Sequence, residues 1–250
     1  MEKALTQFVN LWKDRDEIVG ILLTGSFAVN AANQHSDVDI KLIVSPTQKK
    51  SIKGLCEIDG FSFSYIGRTE EAIKRKFNSD FFSTSKLEAK SIHIGRILYQ
   101  KNNELTSLKE IASYYYSQPF LKKNIADEEL KSMMYSLYSR YTYLNKTDID
   151  SPFFVLNYVM FMKLSLDYYA AILNVELFPF DTKIENILTN KEYLEKYNLA
   201  PFPDATFIKL WIHSLHKENI NKENLDIVYG YMKDKIYPLN PKNFDLSWIE

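Results

Sequence analysis

Between positions 37 and 42 the chain alternates charged and apolar side chains at every step: Asp37-Val38-Asp39-Ile40-Lys41-Leu42. Successive side chains of an extended strand point to opposite faces, so the pattern demands a half-buried strand with both carboxylates on one face. Upstream, residues 18–23 form a short apolar run that breaks at Thr24-Gly25-Ser26, a strand entering a tight turn. A linker compatible with a helix follows over 27–33. Downstream, residues 50–58 read as a weaker strand or edge element, Asp59-Gly60 as a hairpin turn, and Phe61, Phe63 and Tyr65 alternate with Ser62 and Ser64. Leu5, Phe8, Val9 and Trp12, three and four apart, predict an amphipathic helix over 2–14, and 70–77 reads as another.

From about Ser85 the texture changes and helical periods dominate. The spacing predicts helices over 104–117, 127–145, 153–174, 183–197, 204–217 and 223–235, punctuated by Pro119, Pro152, Pro179, Pro201 and Pro203. The expected fold class is α+β. A small mixed β-sheet with helices on one face occupies residues 1–115, and an α-helical bundle occupies residues 116–250.

Composition narrows the function. The 250 residues hold 31 Lys and Arg against 32 Asp and Glu, a net charge of -1, which argues against a protein that coats a nucleic-acid duplex. Cys56 is the single cysteine, so no intrachain disulfide or cysteine-rich zinc site can form, and a reducing, cytoplasmic location is expected. The apolar stretch 152–173 contains Asn157, Lys163 and Asp167, which favours a buried core helix over a membrane span. Only 7 glycines are present and none forms G-x-G-x-x-G. Gly20 and Gly25 have the first spacing of a P-loop, but Ser26 stands where a lysine is required.

A third way of holding phosphate remains. A small Gly25-Ser26 turn offers backbone N–H groups and a hydroxyl without a bulky side chain, and two carboxylates on a rigid strand suit Mg²⁺ with substrate phosphates. The ordered set Gly25-Ser26, a spacer, then Ser36-Asp37-Val38-Asp39-Ile40 resembles the signature of the nucleotidyltransferase superfamily typified by DNA polymerase β. The motif covers roughly residues 20–45, and the likeness extends more loosely to residue 77. Length and the helical second half look like the small antibiotic-modifying members, kanamycin nucleotidyltransferase among them, a comparison of layout alone.

The resemblance implies transfer of a nucleoside monophosphate from an NTP, with ATP the expected donor, to a hydroxyl of a small-molecule acceptor, aminoglycoside-like compounds among the candidates, with release of pyrophosphate. It implies Asp37 and Asp39 as catalytic and Mg²⁺-binding residues, for up to two ions, and Gly25, Ser26, Ser36, Ser62 and Lys183 as nucleotide-binding residues. The expected partners are the nucleotide and the small-molecule acceptor; no membrane partner is expected, and the net charge of -1 does not support a nucleic-acid acceptor. The superfamily usually adds a third carboxylate from a neighbouring strand. Here Ser62 and Ser64 stand on the matching strand, with Asp59 or Glu57 as the nearest acids. Either two acids suffice, or an acid comes from the helical half, or the chain is a weak or inactive nucleotide-binding or interaction module.

Other residues admit two readings. Lys163 and Asp167, four apart, form either a structural ion pair or a site pair. Lys183 is either a phosphate-side lysine or a solvated helix start. Glu128 and Glu129 complement a helix N-terminus before they serve as a base. His213 and His216 lack a third metal ligand. The many tyrosines, 17 in all, serve as core and rim or stack on a ring.

Overall fold

The computed structural model describes residues 1–48, 50–82, 85–119, 124–176, 183–240 and 243–247. The chain forms two compact units. The first comprises Met1–Leu121 with Phe180–Ala200, the second Lys122–Pro179 with Pro201–Glu250.

In the first unit, α1 (Glu2–Trp12) precedes β1 (Ile18–Thr24), a single turn α2 (Gly25–Ala28), β2 (Val38–Val44), β3 (Ile52–Ile58) and β4 (Phe61–Thr69). Then come α3 (Glu70–Phe82), α4 (Leu87–Ile94), β5 (Arg96–Gln100) and α5 (Glu104–Ser117). The five strands form one mixed sheet in the order β3-β4-β2-β1-β5. β2 runs parallel to β4 and antiparallel to β1, so the hairpin partner β3 is displaced to an edge. The fold class is α+β, as the sequence requires.

The alternation in β2 divides the sheet's two cores. Val38, Ile40, Leu42 and Val44 face α1, where Leu5, Phe8 and Trp12 pack with Ile21, Leu23 and Phe63. The rings of Phe8 and Phe63 stack at 5.0 Å. Full burial of side chains such as Phe8 and Phe63 contributes roughly 1.5–3 kcal/mol each. Ile43 and Leu22 face the other way, onto Ile73 and Phe77 of α3, Ala89 and Ile92 of α4, and Leu105, Leu108 and Ala112 of α5. Helices therefore cover both faces of the sheet, not one.

Some local expectations are also corrected. The linker after Gly25-Ser26 is helical only to Ala28. Strand structure does not fade at Ser85: β5, only five residues long and wedged between helices, pairs with β1. The helix expected over 183–197 is two, α8 (Ile184–Thr189) and α9 (Lys191–Lys196), divided where the Asn190 side chain accepts from Tyr193 N to cap α9.

The second unit contains α6 (Asp127–Lys146), α7 (Pro152–Ile172), α10 (Ala205–Leu215), a 3₁₀ turn at Lys217–Asn219 and α11 (Lys222–Lys235). Ser151 caps α7 and Pro152 opens it. One face of α7 supplies Phe154, Tyr158, Phe161, Met162, Leu166 and Tyr169 to the core. The expected core helix is thus buried along one face, with exposed residues on the other confined to its first half, Pro152 to Met160. Among the described residues no helix is long and apolar enough to cross a membrane.

Candidate functional site

The sheet register brings the motif together. Thr24, at the end of β1, pairs with Asp39 in β2, and its hydroxyl donates to the Asp39 carbonyl at 3.3 Å. The next residue, Gly25, adopts φ +65°, the left-handed region that glycine tolerates best. A Cβ at this position would collide with Asp39 Oδ2 and lie 3.0 Å from Asp39 Cγ. The Asp39 carboxylate therefore rests on the Gly25 backbone, and Ser26 follows in the first turn of α2.

On its other side Asp39 meets β4. The parallel register sets Asp39 opposite Ser64, whose hydroxyl donates to Asp39 Oδ1 at 2.9 Å. Ser64 thus stands where a neighbouring strand offers a side chain to the acid. Ser62 lies two residues before it on the same strand, exposed and paired across with Glu57 of β3. The register, not the alternation, distinguishes the two serines.

Electrostatics single out Asp39. Burial raises its pKa above the ordinary carboxylate value, and the neighbouring negative charge of Asp37 raises it further. The Ser64 hydrogen bond and the positive charges of Lys183 and Lys41 pull it back. Asp37, just before β2, is exposed. Lys41, on the same strand face as Asp39, is itself fixed by Glu88 of α4 at 2.8 Å, with Arg68 of β4 3.9 Å from the same carboxylate. Lys41 and Glu88 are both nearly enclosed, so this pair holds a positive charge in place beneath the acids.

Ser36 is engaged in a turn. Its hydroxyl accepts from Asn33 N at 2.9 Å and its backbone N–H donates to the Asn33 carbonyl at 3.0 Å. Its visible work is to shape the loop that presents Asp37. Lys183 lies exposed at the N-cap of α8. The segment Phe180–Ala200 belongs to the sheet unit, which is why a lysine so distant in sequence acts on Asp39. The aromatic loop before it, 178–182, lies outside the described residues.

Three residues of this neighbourhood were not singled out from sequence: Lys41, Tyr193 and Tyr197. The Tyr193 and Tyr197 rings pack at 4.4 Å. Burial pushes the Tyr197 hydroxyl well above its usual pKa, and the charges of Tyr193 and Asp39 add to this. Spacing of four along a helix was the available signal for the pair. The approach of Tyr197 to Asp39 is long-range and left no local trace.

Other candidates resolve as surface chemistry. Lys163 and Asp167 form an ion pair at 2.6 Å within one helix, both partly exposed. Glu128 pairs with Lys131 at 2.7 Å on α6. His213 lies against Asn219. Among the described residues no group of three or more His, Cys, Asp or Glu is arranged to hold a metal ion.

No family model matches the chain. No curated protein matches it either. Among solved structures it is similar to a nucleotidyltransferase-like protein from Exiguobacterium sibiricum 255-15, at 12% identity and a TM-score of 0.44, over 94% of this chain and 74% of that one.

Proposed function

We propose that the protein is a nucleotidyltransferase. It takes an NTP, ATP in the first instance, and transfers the nucleoside monophosphate to a hydroxyl of a small molecule, with pyrophosphate leaving. The observation that carries this reading is the packing of the Asp39 carboxylate on the side-chain-free backbone of Gly25. It sets the Gly25-Ser26 turn against the strand that carries the two acids, the juxtaposition a nucleotide site would need.

The residues fit a divalent cation. Burial, and after it the neighbouring charge of Asp37, raises the Asp39 pKa, and hard oxygen donors of this kind suit Mg²⁺, which also takes phosphate oxygens. When bound between these carboxylates, the ion would neutralise charge on the triphosphate and lower the pKa of the acceptor hydroxyl. Gly25 and Ser26 would hold phosphate oxygens through backbone N–H groups and the Ser26 hydroxyl. Lys183 would meet the negative charge of the leaving pyrophosphate. Ser64 would orient Asp39 through its hydrogen bond, and Ser36 would fix the approach of Asp37. Ser62, further along β4, would line the nucleotide side.

In the reaction the acceptor oxygen forms a bond to the α-phosphorus as the bond from that phosphorus to pyrophosphate breaks, and the acceptor's hydroxyl proton passes to solvent. Aminoglycoside-like acceptors head the panel because of the layout resemblance. The test is pyrophosphate release by the whole protein with Mg·ATP and pooled hydroxylic acceptors. Release that disappears in Asp39→Asn is the expected result. No release with any NTP and acceptor would sink the enzyme reading.

A second reading has a specific observation behind it. Ser64, a neutral hydroxyl, occupies the position on β4 beside Asp39. In this reading the chain binds nucleotide without turning it over. Calorimetry separates the two: tight Mg·ATP binding without turnover, insensitive to Asp37→Asn, favours the binding module.

A further inference from the structure

Helix α7 is apolar nearly all round, and helices of that kind are stable only when covered on every side. Its core face is covered. Opposite lies a run of large apolar side chains open to solvent: Phe153 is 62% exposed, Val155 44%, Leu156 55%, Val159 46% and Met160 45%. Phe153, Leu156 and Met160 follow helical spacing along the outward line, and Val155 and Val159 flank them. Ile149, 43% exposed, extends the patch at the preceding turn. The stripe is bounded at one end by the exposed acids Asp148 and Asp150 and at the other by Lys163.

From these features we infer that α7 is the interface of a homodimer, packed antiparallel on the same helix of a second copy. Three properties select that occupant. The patch runs along one helix, and rows of side chains on a helix pack into the grooves of another helix. The exposed fractions correspond to roughly 500 Å² of apolar surface per chain, so a two-fold pairing buries on the order of 1,000 Å², the threshold for a specific interface. The two-fold itself fixes the antiparallel sense: an axis near Leu156 sets Phe153 of each copy beside Met160 of the other, so the stripe meets itself along its length. The acids at the stripe's end repel an anionic lipid surface.

Light scattering after size exclusion, over a wide range of concentration, reads the proposal directly. The wild-type chain is expected at twice its chain mass. Leu156→Lys and Met160→Lys are expected to raise the dimer dissociation constant more than tenfold, with unchanged far-ultraviolet circular dichroism. Leu156→Cys in a Cys56→Ser background is expected to cross-link to a disulfide dimer under mild oxidant, a readout that does not depend on a charge being tolerated. A wild-type chain that is monomeric at every concentration would overturn the proposal. So would a dimer that survives both lysine variants and does not cross-link at position 156. Flotation of the wild type, but not Leu156→Lys, with phosphatidylcholine vesicles would assign the stripe to a membrane surface instead.

Discussion

Two aspartates, one in each unit, have opposite surroundings. Asp39 sits partly buried on β2 with a second carboxylate for a neighbour and one hydroxyl donor, and its pKa is raised. Asp204 caps α10. Burial acts to raise its pKa too, but four donors outweigh it: the hydroxyls of Tyr231 at 2.6 Å and Tyr169 at 2.7 Å, and the backbone N–H groups of Phe207 and Thr206. Its pKa falls to about 2. Asp204 thereby ties α7, α10 and α11 together. One carboxylate is surrounded by donors and serves the fold; the other has one hydroxyl donor and a like charge beside it. Burial and a like charge set Asp39 apart from Asp204, whose donors outweigh its burial.

The sharpest way to break this contrast is to neutralise each acid. Asp39→Asn is expected to cut pyrophosphate release by about a thousandfold, some 4 kcal/mol of transition-state stabilisation, while the melting temperature holds or rises slightly because the repulsion from Asp37 is gone. Equal activity in this variant would mean Asp39 is not in the site. Asp204→Ala should do the reverse. The loss of a cap and two tyrosine hydrogen bonds costs about 2–4 kcal/mol in urea unfolding. A cost below ~0.5 kcal/mol would show that the donors find other partners.

Ser64→Ala has a smaller expected effect. It removes the bond that lowers the Asp39 pKa, so the acidic limb of the activity profile should move to higher pH, with a loss near fivefold at neutral pH, about one hydrogen bond. An unshifted limb would detach Ser64 from the acid. Least in size are the opposing contributions to stability. Asp204 binds its proton more weakly folded than unfolded, so its stabilisation is full above pH ~4 and is lost as pH falls toward 2. Asp39 binds its proton more tightly when folded, so from 3.8 upward its contribution falls as pH rises. Comparing acid unfolding of Asp39→Asn and Asp204→Asn should show slopes changed in opposite senses.

Much of the first aspartate's setting was legible in the chain, and little of the second's. Gly25, Ser26, Asp37 and Asp39 lie close in sequence, and the period of two dictates which side chains share a face. That alternation could not say whether Ser62 or Ser64 meets Asp39, because the answer depends on β2 pairing in parallel with β4 across an intervening edge hairpin. The same limit hid β5: Arg-Ile-Leu-Tyr-Gln is too short to establish a period between two helices. Asp204 stood only at the start of an expected helix over 204–217, and its tyrosine partners are 35 and 27 residues away in sequence. Lys183 acquires its relation to Asp39 only through the return of Phe180–Ala200 to the sheet unit.

That return has a consequence for how the molecule is made. The polypeptide passes between its two units three times. During synthesis the sheet and both acids emerge from the ribosome well before Lys183 and Tyr197, and synthesis proceeds at only ~5–20 residues per second. For several seconds a nascent chain carries the acids without the lysine that tempers them. A fragment ending near residue 121 would preserve that state permanently, so the sheet unit cannot be obtained intact by a single cut in the gene.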